Sequence, residues 1–170
     1  MLAGAALGRL PQVRRVTFLG FIPFFTLAPS IACFDDGSCT RAGQPFGAGR
    51  AGAYLIFSAG FDLQHLEDEA ILTHDPGLRT RDNAFREGML AFNTLTSVGY
   101  VAANLLGVEP KAGDVRSIVE VSGRPRLLVD GLLLSCAALD LLRYHSPELV
   151  WPIWASRAAK LALGGLVFVF

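Results

Sequence analysis

"GMLAFNTLTSVGYVAANLLGV", residues 88–108, decides how the rest of the chain is read. It runs for 21 residues without an Asp, Glu, Lys, Arg or His. A helix that crosses the hydrocarbon core of a bilayer needs roughly 20 apolar residues. A bundle helix facing water on one side would have to bury nearly every face to use such a run. The stretch therefore predicts a membrane span, and others are sought outward from it.

Val16–Cys33 supplies a second uncharged run, 18 residues long. Two more runs are interrupted: Ala51–Leu66 contains Asp62 and His65, and Leu127–Leu142 contains Asp130 and Asp140. A last apolar segment, Leu149–Phe170, is broken by Arg157 and Lys160. The expected fold class is all-α: a polytopic transmembrane helical bundle of four spans plus a fifth C-terminal helix, spanning or interfacial. Residues 1–170 are expected to form a single membrane-embedded helical domain. Composition points the same way, with 52% hydrophobic and 18% charged residues, against about a quarter charged in ordinary water-soluble domains. Mean hydropathy is +0.42. A formal net charge of zero gives no electrostatic case for a nucleic-acid partner.

Arg9, Arg14 and Arg15 precede the first run, and no acid occurs before Asp35. Such a start suits an organellar address or the basic region of a secretory signal. "RRVTFLG" departs from a twin-arginine signal by one extra residue, and "SIAC", ending at Cys33, has Ser30 where a lipoprotein cleavage box needs an apolar residue. A retained first span is the expectation. Seven Arg or Lys on one side of the predicted topology against six on the other leave its orientation undecided, since the positive-inside rule needs an asymmetry.

Boundary signals place helix three from Asp82 or Asn83 to Gly107, open helix four at Pro125, and start helix five at Ser146-Pro147-Glu148. Trp151, Trp154 and Tyr144 suit a membrane interface. Glu67–Arg86 reads as a charged loop, and Glu109–Arg126 as a loop holding a short strand or helical turn. "TFLGFI…AGFDL" (from Thr17) and "TSVGYV…AALDL" (from Thr96) outline a repeat of two parallel halves.

Charges within spans need partners. A hairpin centred near His145 and Ser146 sets Asp130 level with Lys160 and within a turn of Arg157, predicting an Asp130–Lys160 or Asp130–Arg157 ion pair. Asp62 and His65, at i and i+3, would share a bundle end with Asp140 and His145, so four potential ligands could converge there. No metal or cofactor is assigned, since only one Asp-x-x-His pair has the right spacing and no second repeats it. Cys33 and Cys39 flank a short Asp-Asp-Gly-Ser turn and could close a disulfide on an oxidising face. A zinc site there would need two further ligands that the loop does not offer. Cys136, amid apolar neighbours, would be an inert thiol.

No nucleophile elbow, phosphate-binding loop or dinucleotide fingerprint occurs, so no catalytic residue is assigned. The sequence reading is a non-catalytic integral membrane protein, multi-pass in a bacterial inner membrane or an organellar one. Its partners would be the lipid bilayer and other subunits of a membrane assembly. The alternatives are a membrane-embedded ligand or redox protein using Asp62, His65, Asp140 and His145, and a small transporter or channel using Asp130 and Lys160.

Overall fold

Heptad-like spacing runs through the long helices of this chain and explains how they pack. The computed structural model describes residues 12–19, 22–28, 31–33, 38–41, 44–45, 47–81, 83–108 and 114–166. Among them are helices α1 (Gly49–His74), α2 (Ala84–Leu105), α3 (Asp114–Ser122), α4 (Arg126–His145) and α5 (Trp151–Gly165), with a 3-10 turn at Leu78–Thr80. In α1 the buried side chains include Tyr54, Ser58, Phe61, His65, Asp68 and Leu72. That alternation of four and three residues lays them along one seam. α2 repeats it with Leu90, Asn93, Ser97, Tyr100 and Asn104, and α4 with Val129, Leu133, Cys136, Asp140 and Arg143.

The seams face one another. Helices α1, α2, α4 and α5 pack as a four-helix bundle, and α3 lies across α1 and α4 at one end. Adjacent helices run antiparallel. Tyr54, early in α1, donates a hydrogen bond to the Leu163 carbonyl late in α5 (2.6 Å), while Asn104, late in α2, meets Asp130 early in α4 (2.7 Å). The apolar core lies at this end, where Tyr54, Val101, Ile118, Val129, Leu133 and Leu163 are buried together. Each such side chain contributes roughly 1.5–3 kcal/mol by leaving water. Phe61 packs edge to face on Tyr100 at 5.3 Å.

No helix among the described residues is long and apolar enough to cross a membrane. This overturns the transmembrane bundle helix by helix. α1 has the length, 26 residues, but carries Arg50, Asp62, Glu67, Asp68 and Glu69. In α2, Arg86 and Glu87 occupy the first turn, and Asn93, Thr94, Thr96, Ser97 and Asn104 dilute the rest. α4 holds Arg126, Asp130, Asp140 and Arg143, and α5 has only 15 residues. The multi-pass localisation and the membrane-subunit, membrane-ligand and transporter functions built on those spans are withdrawn with them. The high hydropathy has another outlet: Phe85, Phe92, Leu95, Leu127 and Leu141 stand exposed on the outer faces of α2 and α4.

The described residues are mostly helical, as expected, but not all-α. The expected first span is strand: β1 (Gln12–Leu19) pairs antiparallel with β2 (Ile22–Ala28), Phe18 opposite Pro23. Its β-branched and aromatic residues favour extended backbone, and Pro23 cannot donate to a helical ladder. β3 (Ile31–Cys33), β4 (Cys39–Arg41) and β5 (Gln44–Pro45) form a second antiparallel sheet. Cys33 and Cys39 lie directly opposite in it and are joined by a disulfide, with Cα atoms 4.0 Å apart. Cys39 is buried in the core, and Ile31 and Cys33 pack against it. Asp35, Asp36 and Gly37 of the connecting turn, and the arginine-bearing start as far as Pro11, lie outside the described residues.

Several boundaries also move. α1 continues through the expected charged loop to His74. The Glu109–Arg126 stretch holds a nine-residue helix, α3, which stops at Gly123 in the left-handed region (φ 62°). Asn83 caps α2 by accepting from the Arg86 amide (3.3 Å). Ser146 ends α4 rather than opening α5, which begins at Trp151 with Pro152 in its first turn.

Candidate metal centre

At the other end of the bundle the same seams carry polar side chains. His65 and Asp68 project from consecutive turns of α1, Asn93 comes from α2, Asp140 and Arg143 from α4, and Ser156 and Lys160 from α5. His65, Asp68 and Asp140 are all buried, and one possible ligand atom from each lies within 4.8 Å of the others. His65 is 5% exposed, and neither of its ring nitrogens has a hydrogen-bond partner among the described residues. Burial, helped by the Lys160 charge and opposed by that of Asp140, pulls its imidazole down to about 4. The ring is therefore neutral and keeps a lone pair.

Asp68 accepts a hydrogen bond from Asn93 Nδ2 (2.8 Å). Burial nevertheless outweighs that bond and pushes its carboxyl up to about 7. Asp140 accepts from Ser156 Oγ (2.5 Å), and its Oδ2 lies 2.8 Å from Lys160 Nζ. Arg143 Nη1 reaches its Oδ1 at 3.3 Å. Glu69, at the next position of α1, gathers those two cations and a third: Arg143 at 2.6 Å, Lys160 at 3.3 Å and Arg157 at 2.8 Å. Burial alone would raise the Glu69 carboxyl. The hydrogen bonds from Arg143, Arg157 and Thr73 reverse that and hold it well below the usual carboxylate range.

Of the four ligands considered from sequence, His65 and Asp140 come together here. Asp62, half-buried, accepts from Ser58 Oγ (2.7 Å), and burial raises its carboxyl against that bond. His145 stands exposed beside the Tyr144 ring at 5.1 Å, and its carbonyl accepts from Arg79 (3.3 Å). Asp130 accepts from Asn104 through both oxygens (2.7 and 2.8 Å), while Arg157 and Lys160 reach Glu69 and Asp140. The register explains the change of partner. Because α5 begins at Trp151, Asp140 faces Ser156, which sets residue 130 opposite about 166 instead of 161.

Asp68, Glu69, Arg143 and Ser156 were missed by sequence reasoning. For Asp68 and Arg143 the signal is the four-three spacing itself, which continues through the charged stretch of α1 and makes Asp68 a seam position beside His65. Next to the cluster, between α1 and α5, a cleft of about 640 Å³ is lined by His65, Leu66, Ala70, Arg157, Lys160 and Leu161, among others. An imidazole and two carboxylates form a mixed nitrogen and oxygen donor set, which suits first-row divalent cations better than soft ones. No protein-family model, curated protein or solved structure matches this chain.

Proposed function

We propose that the protein binds a divalent transition cation in the bundle, with His65, Asp68 and Asp140 as its protein ligands. The observation that carries this reading is His65: a buried, neutral imidazole with both nitrogens unpartnered among the described residues, set beside two carboxylates. An unsatisfied buried polar group is costly, of the order of 1–3 kcal/mol, and coordination would satisfy it. Ligand bonds of about 2.0–2.2 Å require the three donors to close by about 1 Å, within reach of side-chain rotation. Lys160 bridges Asp140 and Glu69, so it can yield Asp140 to an incoming cation and keep Glu69. Three protein ligands leave coordination positions open, as in metal sites that bind water or substrate.

A second reading is favoured by the 2.8 Å separation of Lys160 Nζ from Asp140: the Lys160 ammonium is itself the cation of the centre, and the network is structural. Titration of the purified chain with Co²⁺, Zn²⁺ and Mn²⁺ separates the two. The metal reading expects one equivalent bound, lost in His65→Ala and in Asp140→Asn, and retained in His74→Ala and His145→Ala. It also expects Lys160→Met to tighten metal binding by removing a competitor. Uptake indifferent to His65→Ala, or no uptake at all, would overturn it in favour of the ammonium.

A further inference from the structure

We infer that the outer face shared by α2 and α4 pairs with the same face of a second copy of this chain. The inference concerns the outside of the bundle and does not rest on the metal reading above. Among the described residues nothing covers this face. Leu105 and Leu127 are 59% and 73% exposed, and Leu95, Val98, Leu134 and Leu141 stand exposed with them.

These side chains fall into register. Asn104 meets Asp130 and Tyr144 donates to Glu87 (3.0 Å), which fixes the antiparallel alignment of the two helices. On that alignment Leu105 stands level with Leu127, Val98 with Leu134, and Ala91 with Leu141. Each layer is seven residues from the next on both helices, about 10.5 Å. α2 and α4 thus carry two seams apiece, one turned into the bundle and one turned outward along the groove between them. Gly88, Ala102, Gly131 and Ala138, all exposed, interrupt the larger side chains and leave recesses that a facing side chain can fill.

Area and charge select a second copy. With its larger side chains about half exposed, the face presents on the order of 800 Å², the share that each partner gives to a standard interface. Monomers rarely leave so much contiguous apolar surface in water. Two-fold pairing sets a surface against itself, so a charge near the axis would oppose its own copy. This face offers none. No charged residue occurs from Gly88 to Val108, and the two between Arg126 and Arg143, Asp130 and Asp140, are buried inside the bundle. A bilayer would use the apolarity but gives no reason for layers seven residues apart.

The test is sedimentation equilibrium of the full chain in buffer without detergent. The expected result is a dimer, twice 18.2 kDa, at micromolar chain concentration. Gly131→Arg and Val98→Glu place an unpaired charge on the face, and each is expected to weaken pairing about tenfold or more. A side chain at position 131 enters open space and Arg suits a helix better than Gly, so Gly131→Arg should keep the helical circular dichroism of the wild type. Leu161→Glu, equally exposed but on α5, is expected to leave the dimer unchanged. A wild-type monomer, a dimer indifferent to both face variants, or one weakened as much by Leu161→Glu would overturn the inference. So would a monomer that binds phosphatidylcholine vesicles through this face and loses them in Gly131→Arg, which would assign the face to a bilayer instead.

Discussion

Where α1 begins and α5 finishes, the bundle seam holds Tyr54, Val101, Ile118, Val129 and Leu133. Where α1 finishes and α5 begins, the same four-three spacing presents His65, Asp68, Asn93, Asp140 and Arg143. At the first end every buried methyl adds to stability. Its one buried carboxylate, Asp130, is met by a neutral amide on both oxygens. At the second end four ionisable groups, His65, Asp68, Asp140 and Arg143, have been taken out of water, and their mutual attraction does little more than offset that loss. Such a layer is weak evidence for stability and a reasonable place to look for chemistry.

The sharpest way to break this contrast is Asp140→Ala. Asp140 is fully buried and faces Ser156, Lys160 and Arg143, so its removal strands charge in the interior. A loss of about 4 kcal/mol in urea denaturation is expected. Replacing the pair, Asp140→Leu with Lys160→Met, should cost less than Asp140→Leu alone, because no unpaired charge then remains. A loss under about 1 kcal/mol for Asp140→Ala would mean that this end is wetter than described. At the apolar end, Leu133→Ala is expected to cost about 3 kcal/mol through lost burial and a residual cavity. Residues 133 and 140 are two turns apart, about 10 Å, so the two losses should add to within about 0.5 kcal/mol. Marked non-additivity would show that the ends are not separate units.

How much of this was legible beforehand depends on the region. The helices α2, α4 and α5 were readable because Asn83 and Pro125 mark two starts and their apolar runs are long. Hydropathy along those runs misled, because it adds both faces of a helix. Phe92 and Leu95 on the outside of α2 count as much as Leu90 and Val101 on the inside. Val16–Cys33 misled differently: an uncharged run fits a span or a hairpin, and Val16, Thr17, Phe24, Phe25 and Pro23 favour the hairpin. At the site, His65, Asp140 and Lys160 could be named as buried candidates, but Asp68 and Glu69 were assigned to a loop. Charge density argues for a loop only where the periodic seam has ended, and here it continues to Leu72. His145 was misplaced because it stands five residues after Asp140 on the same helix, roughly 140° round α4 from the buried seam, at its exposed end.

A smaller effect should separate the ends by pH. In the cation-free protein, burial raises the Asp68 carboxyl from 3.8 to about 7, with Asp140 and Glu67 raising it further and Asn93 and Lys160 opposing. The folded chain therefore binds this proton where the unfolded chain has released it, and the Asp68 contribution to stability falls as pH rises from about 4 to about 7. The change is roughly 2 kcal/mol, since water and relaxation soften buried desolvation. His65, held down to about 4, adds stability as pH rises over much of the same range. The Asp68 contribution is therefore read as a difference: in urea midpoints measured from pH 4 to 8, Asp68→Asn should gain stability relative to the wild type as pH rises. Equal slopes would sink the assignment of the slope to Asp68.

The smallest expected effect comes from the apolar end. Tyr54 is fully buried, and its hydroxyl donates to the Leu163 carbonyl at 2.6 Å. Burial raises the phenol, so it remains a donor throughout the accessible pH range. Tyr54→Phe keeps the ring and nearly all of its volume, so no cavity term enters. The Leu163 carbonyl also accepts from the Leu166 amide and is not left bare. The cost should then be about 1 kcal/mol, the net worth of one neutral hydrogen bond, read as a shift in urea midpoint with an unchanged slope. A loss as large as that of Asp140→Ala would mean that a hydrogen bond, and not apolar burial, locks α1 to α5 at this end. The two ends would then differ in charge but not in what holds them.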